Sequence, residues 1–435
     1  EIDTNQQKAI DSWAETWPQL RAIHDFQQSL FWPVLETMNT GLRTDNESKA
    51  RLSAELAVAI QSREDWITEL LGQPLNIKSP VQMKDLFYRV FAQKEVLSRK
   101  THNATCDDAA LEKIALREPL LLPLCSKIRE LRSLGVFRST FLEAPIDADE
   151  RMRCSFNIAG TDTYRFSSSE NAFGSGMNLQ NVPSGDEDET SDFGGFPNIR
   201  KLFITDEAPE PMEFFDIDLD SADLRIVVAE ANCLEMKQMF DEGLKPYVEV
   251  AKEYYRDPTI DKFHPSYKMF KALCHATNYL GTASGVSGRI GLITQEVERI
   301  QRWYYGKFPE IAAWQDGIKS DVHGQHYVEN VFGYRMYIFD RIEGTIYNQA
   351  VAWKPQSTVA CLINRGYRNI HQSEKNIQVL LQVHDSLGGQ YPIRLREECQ
   401  RKIISHCSIP LHYPSGAITI PVGIKTSPVS WGDCA

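Results

Sequence analysis

Asp218 ends the apolar run FFDID and Asp385 follows the run VLLQV, so each carboxylate stands where a buried β-strand gives out. Taken singly, an Asp at a strand end is a turn or cap residue. Two of them on adjacent strands would do different chemistry. Like charges held together resist ionisation unless a divalent cation neutralises them. Carboxylate oxygens select a hard ion such as magnesium, which binds through one or two acids and keeps positions open for substrate phosphates. Adjacency of the two strands is an added assumption at this level.

A second group lies in HPSYKMFKALCHATNYLGTASG, residues 264–285. Lys271, His275 and Tyr279 are spaced four apart, which puts them along one face of a helix, with Lys268 one turn before Lys271. An amphipathic helix with a solvated Lys/His face explains this pattern. So does a phosphate-binding rail, with cations for a triphosphate and an aromatic ring for a base or sugar.

The elements that must position these groups follow from pattern and punctuation. At 435 residues and 42% hydrophobic, the chain exceeds the roughly 250–300 residues that one core serves, so two or three subdomains are expected. Residues 19–73 carry apolar residues at helical spacing, and Ser79-Pro80 marks the start of a further helix. From about 150 the texture turns to Ser, Thr, Gly and Asn with short apolar runs, which reads as strands and loops presenting polar groups. A buried strand is predicted from Phe214 to Leu219, breaking into a helix near Ser221; residues 235–325 are helical in pattern, punctuated by Pro309. The tail ITIPVGIKTSPVSW alternates like strands, and no internal repeat is visible.

Composition bounds the partners. No run approaches the roughly 18 apolar residues of a membrane span, and EIDTNQQKAI lacks the parts of a signal peptide, which suits a soluble chain. A start at Glu1 rather than Met suggests a processed product or a piece of something longer. Nine cysteines without a CxxC pair indicate neither a zinc site nor a disulfide framework and fit a reducing compartment. With 47 basic and 59 acidic residues the net charge is −12, which on its face opposes a polyanionic partner. Acid concentrated in loops such as GDEDETSD (185–192) answers part of that objection.

Seven segments, in order, resemble the polymerase module of family A DNA polymerases from about residue 28 onward. IKSPVQMKDLF resembles NxNSPKQLxxxLF at the thumb base, TYRFSS (163–168) TGRLSS, NLQNVP (178–183) NLQNIP, and NIRKLF (198–203) RIRxAF. DLDSADLR (218–225) is similar to motif A, DYSQIELR, and QVHDS (382–386) to motif C, QVHDE. The 264–285 helix corresponds to motif B, RxxxKxxxF.

The resemblance implies an α+β right hand with a helical thumb, an antiparallel-sheet palm and helical fingers. An N-terminal helical segment would span 1–40, the thumb 41–148, the palm 149–232 with motif A, the fingers 233–344 with motif B, and the second part of the palm 345–435 with motif C. Motifs A and C would then be neighbours. Asp218, Asp385 and the backbone carbonyl of Leu219 would hold two magnesium ions, for which manganese can substitute, and the reaction would be template-directed addition of deoxynucleotides to a primer 3′-hydroxyl. Arg165, Gln180, Asn181, Gln356 and His384 would contact primer-template DNA. Asp223 would exclude a ribose 2′-hydroxyl, and Tyr279 would stack on the nucleotide and confer tolerance of dideoxynucleotides. Arg225 ends motif A, where it can also be a structural ion-pair residue.

Departures from the family are also visible. In the register fixed by Asn278-Tyr279, Lys271 replaces the family Arg, and His275 replaces the Lys that binds triphosphate and protonates pyrophosphate. His275 would then be the catalytic acid. Ala283-Ser284 would replace the Tyr-Gly that ends the helix, Val248 the His of a DxH segment, Ala352 an Asn, and Ser386 the second acid of motif C.

Two rivals share the aspartates: a single-subunit RNA polymerase, whose motif C often reads HDS, and a DNA-binding module with weakened catalysis. Asp223, TYRFSS and NLQNVP speak against the first, and retention of both acids against the second. No paired-acid exonuclease motif precedes residue 20, so no proofreading is expected from this chain alone. A separate exonuclease or a processivity factor would be partners, and the cytoplasm, or an organelle, the location. Lys78, Lys84, Lys94, Arg99 and Lys100 would supply part of a basic cleft.

Overall fold

A four-stranded antiparallel sheet carries the residues singled out above. Its strands are β1 (Met212–Leu219), β2 (Gln378–Val383), β3 (Ser386–Pro392) and β4 (Val422–Ser427), ordered β2-β3-β1-β4. The computed structural model describes residues 2–98, 101–187 and 195–434. Arg99, Lys100 and most of the GDEDETSD run lie outside them.

Phe214, Phe215, Ile217 and Leu219 of β1 are all buried. Each such burial is worth about 1.5–3 kcal/mol, and a slip of one residue would exchange the side chains packed on the two faces, so the register is strongly specified. Phe215 stacks on Tyr391 of β3 at 5.9 Å. Gly389 permits this closeness, because a Cβ there would lie 2.1 Å from the Gln378 carbonyl oxygen and 2.8 Å from the Phe215 ring.

The helices that matter for the site are α1 (Asn46–Leu71), α2 (Leu122–Phe137), α3 (Ala222–Ala231), α4 (Pro246–Tyr255), α5 (Pro265–Asn278), α6 (Ala283–Ile290), α7 (Pro309–Gln325) and the 30-residue α8 (Gly344–Ser373). Local sequence sets their starts. Asp45 caps α1 through the Ser48 amide, and the Ser79 side chain accepts from the Gln82 amide with Pro80 in the first turn, as the Ser-Pro pair predicts. Pro309 likewise opens α7.

Among the described residues, the buried apolar side chains form three cores. One centres on the sheet and α8, with Phe214, Phe215, Leu387, Trp353 and Tyr367. A second joins α3 to the helices between 234 and 325 through Val228, Tyr247, Phe270, Leu273, Tyr304 and Phe308. A third joins α1 to α2 and the segment between them through Ile67, Met83, Phe87, Ile114 and Ile128. A sheet body with helical bodies around separate cores is the α+β arrangement that the motifs imply.

Candidate active site

The two-residue link between β2 and β3 is His384-Asp385, with Val383 paired to Ser386. Such links favour positive φ, and His384 has φ 57°. A strained tip needs support. The Gln382 side-chain amide donates to the His384 carbonyl at 2.9 Å, and Ser386 Oγ donates to the Val383 carbonyl at 2.9 Å. Behind them, Gln180 Nε2 donates to the Gln382 carbonyl at 3.0 Å and its Oε1 at 3.1 Å. Gln180 is buried and faces inward. Its two bonds fix the strand below the tip.

Register brings the acids together. Ser386 pairs with Asp218 across β3 and β1, so Asp385 is one residue from Asp218's partner, and Gly423 of β4 stands opposite Asp218 on the other side. Burial, then the charges of Asp385, Asp216 and Asp220, push Asp218 up to about 6. The adjacency that sequence could not supply is therefore present, and the acids pay an electrostatic penalty that a cation would relieve. Asp216 is spoken for, because Trp431 Nε1 donates to it at 2.9 Å. Ser386 caps the turn instead of adding a second acid.

Among the described residues no group of three or more His, Cys, Asp or Glu side chains is set to cage a metal. Two carboxylates and a backbone carbonyl nevertheless fit magnesium, whose remaining positions go to water and phosphate. A closed cage would suit this chemistry less well.

Above the acids lies a cavity of about 390 Å³ lined by Asp218, Leu219, Asp223, Lys245, Tyr267, Lys271, His275 and Asp385, among others. Its wall is α5. His275 packs edge-on against Tyr279 at 4.7 Å. Burial, together with the positive charges of Lys271 and Arg165, lowers the His275 pKa against the opposing pull of Asp223, so the imidazole is neutral at pH 7. Burial also raises the pKa of Asp223, opposed by Arg165, His275 and Tyr279. Asp223 Oδ1, the Tyr279 hydroxyl and Arg165 Nε are buried without a hydrogen-bond partner. Asp223 and Tyr279 act on each other beside Arg165, so these polar groups form one cluster.

Two sequence expectations change here. Helix α5 stops at Asn278 with Tyr279 as its cap, and Ala283 opens α6, so Ala283-Ser284 do not end the motif B helix. Tyr279 caps the helix, and His275, Lys271 and Tyr267 precede it at one-turn intervals. Val248 is buried and absent from the cavity wall, whereas Lys245, Pro246 and Tyr247 line it.

The remaining expected residues lie around this centre. Arg165 is within electrostatic reach of Asp223 and His275. Asn181 and His384 are exposed, and Gln356 is half-buried on α8. Arg225 pairs with Asp220 at 3.2 Å and lies over the Phe240 ring at 4.0 Å, the structural role its position allowed. Lys245 is a residue that sequence reasoning missed; a Lys before Pro at a helix start gives no signal of facing a distant acid pair. No described helix is long and apolar enough to cross a membrane.

Comparison with known proteins supplies the context. The chain is 25% identical over 419 residues to DNA polymerase I of Geobacillus stearothermophilus, covering 93% of this chain and 45% of that protein. It is 26% identical over 400 residues to the thermostable DNA polymerase I of Thermus aquaticus, covering 88% and 45%. The chain thus spans about half the length of these curated relatives. In fold it matches the POL domain of Pol1 from M. smegmatis, solved with DNA primer-template and dNTP, with a TM-score of 0.82 at 21% identity over 97% of this chain and 73% of that one. The right-hand fold follows from that likeness. Because the model of DNA polymerase family A matches residues 46–428, most of the length, the chain belongs to that family.

Proposed function

We propose that this chain is a template-directed DNA polymerase that adds deoxynucleotides to a primer 3′-hydroxyl and releases pyrophosphate. The observation that carries this is the Asp218–Asp385 pair at the floor of a cavity walled by Lys271 and His275, in a chain of this family. Enzymes of the family depend on divalent metal ions. Here Asp218, Asp385 and the Leu219 carbonyl would hold two magnesium ions, with manganese as a substitute. When bound, such ions lower the pKa of the attacking hydroxyl and neutralise charge on the leaving group.

The chain's own groups do the rest. Lys271 faces the triphosphate, stabilises its charge and supplies the proton for the departing pyrophosphate oxygen. His275, neutral in the free chain, presents its ring to the nucleotide; this replaces the acid role and makes Tyr279 the partner of Asp223. Dideoxynucleotide tolerance no longer follows from Tyr279. Asp223 closes the sugar edge against a 2′-hydroxyl, and Arg165 offers its unpaired Nε to the primer terminus. Asn181, Gln356 and His384 meet the duplex, while Gln180 positions motif C.

The three cores support a thumb over 41–148, fingers over 233–344 and a palm from 149–232 and 345–435, after a leading segment 1–40. Lys78, Lys84 and Lys94 are not ion-paired among the described residues and are available to the phosphate backbone. A net charge of −12 weakens long-range attraction to DNA, so processive synthesis calls for a partner. The cytoplasm is the matching location.

Primer extension tests this directly. With magnesium and four deoxynucleotides the chain should extend a primed template, and Asp385→Asn should lose at least about 10³-fold of that rate while binding the same DNA. No extension by the wild type in magnesium or manganese would refute the proposal. Preference for ribonucleotides would favour an RNA polymerase.

A further inference from the structure

We infer that Lys245 is a second triphosphate-binding cation, taking over from α4 the charge that α5 lacks where Tyr267 stands one turn before Lys271. The inference rests on the polymerase reading and goes beyond it, because neither the motif residues nor the helix periodicity points to this position.

Four observations converge. Lys245 lines the same cavity as Asp218, Asp385, Lys271 and His275. Its backbone is fixed as the cap of α4: its carbonyl accepts from the Val248 amide at 2.8 Å and the Glu249 amide at 3.2 Å, and Pro246 follows. The side chain, by contrast, is exposed and makes no ion pair among the described residues. The nearest acid on its own helix, Glu249, is already paired with Lys252 at 2.9 Å. A pinned base with an uncommitted ammonium, at a helix N-terminus that itself favours anions, is an arrangement suited to phosphate.

Charge balance gives the reason. The cavity wall carries the acids Asp218, Asp220, Asp223 and Asp385, and the fixed cations available to a triphosphate are Lys271 and Lys245, with Tyr267 neutral. Asp220 is engaged by Arg225. Even with two divalent ions bound, removing Lys245 leaves Lys271 as the one lysine on the wall against a substrate of about four negative charges.

The test separates nucleotide from DNA. Lys245→Ala should raise the KM for every deoxynucleotide about tenfold, the size of one lost charge-assisted contact, with kcat changed far less. The KM for pyrophosphate in the reverse reaction should rise in parallel, Lys245→Arg should restore both, and primer-template affinity should stay unchanged. Unchanged KM values for nucleotide and pyrophosphate, or a loss confined to DNA affinity, would overturn the inference while leaving the polymerase reading intact. Should the wild type extend no primer, the polymerase reading fails. Calorimetric binding of magnesium–deoxynucleotide to wild type and Lys245→Ala then decides the Lys245 site independently, equal affinities counting against it.

Discussion

Asp218 and Asp385 are placed by strand register, whereas Lys271, His275 and Tyr279 are placed by where a helix stops. The difference matters because the two constraints fail differently. A strand error of one residue would exchange Phe214 with Phe215 and Ile217 between the two buried faces of the sheet, so the packing enforces a single answer. A helix shifted by one full turn keeps its apolar face inward, and Phe270, Leu273 and Cys274 are buried in either assignment of roles. The palm acids are thus fixed by burial. The roles on the fingers helix depend on its cap.

The sharpest way to break that contrast is to exchange the roles on α5. If Lys271 is the triphosphate ligand and acid, Lys271→Ala should lower the single-turnover rate about 100-fold. His275→Phe keeps a ring and removes the titratable nitrogen, and should cost less than about threefold in the same assay, within the scatter of a conservative swap. Losses of equal size would return the acid role to the imidazole and the stacking role to Tyr279. The sequence register would then hold against the helix end.

Asp223 joins the two regions, since it starts in the palm helix α3 and interacts with His275 and Tyr279 of the fingers. Asp223→Ala should reduce discrimination against ribonucleotides by about tenfold, because the position that blocks the 2′-hydroxyl is emptied. Competition between one deoxynucleotide and its ribonucleotide on a single template measures it. Unchanged sugar selection would assign the carboxyl to holding Arg165 instead.

What could be read from the sequence follows the same division. FFDID and VLLQV announce buried strands, and the hairpin between VLLQV and SLGGQYP places Asp385 at its tip. Pairing of β3 with β1 came from family resemblance, since no local pattern encodes which strands lie side by side. The end of α5 was placed too late, at Ala283-Ser284, because neither Tyr279 nor Ala283 is a strong stop signal. The backbone turn is closed by the Gly281 amide, which donates to the Ala276 carbonyl at 2.7 Å, and Leu280 takes φ 58°. Gln180 was assigned to the duplex by family resemblance, and its burial depends on Gln382, 202 positions away.

That long-range pair yields a smaller effect on the palm side. Gln180→Leu removes the donor to Gln382 and should cost about 1–3 kcal/mol of stability, the penalty of a buried amide left without its partner. It should also lower kcat with primer-template affinity unchanged, because the residue supports the Asp385 tip. A loss of DNA affinity with kcat intact would put the side chain back on the duplex.

The smallest expected effect isolates the strain between the acids. Asp218 is raised from an ordinary 3.8 to about 6. Above pH 6 it is ionised in both folded and unfolded chains, and only the folded chain bears the cost of burial and neighbouring acids. As pH falls from 6 toward 3.8 the folded chain takes up the proton first, and the cost disappears. Asp218→Asn should therefore raise the Tm of the metal-free protein at pH 8 by about 1–3 °C and leave it unchanged near pH 4. Magnesium should raise the Tm of the wild type at pH 8, by relieving the same repulsion, and have little effect on the variant. A substitution without effect at pH 8 would mean that the acids are too well solvated to repel. The palm would then lose the electrostatic tension that distinguishes it from the fingers wall, and the metal fit would rest on geometry alone.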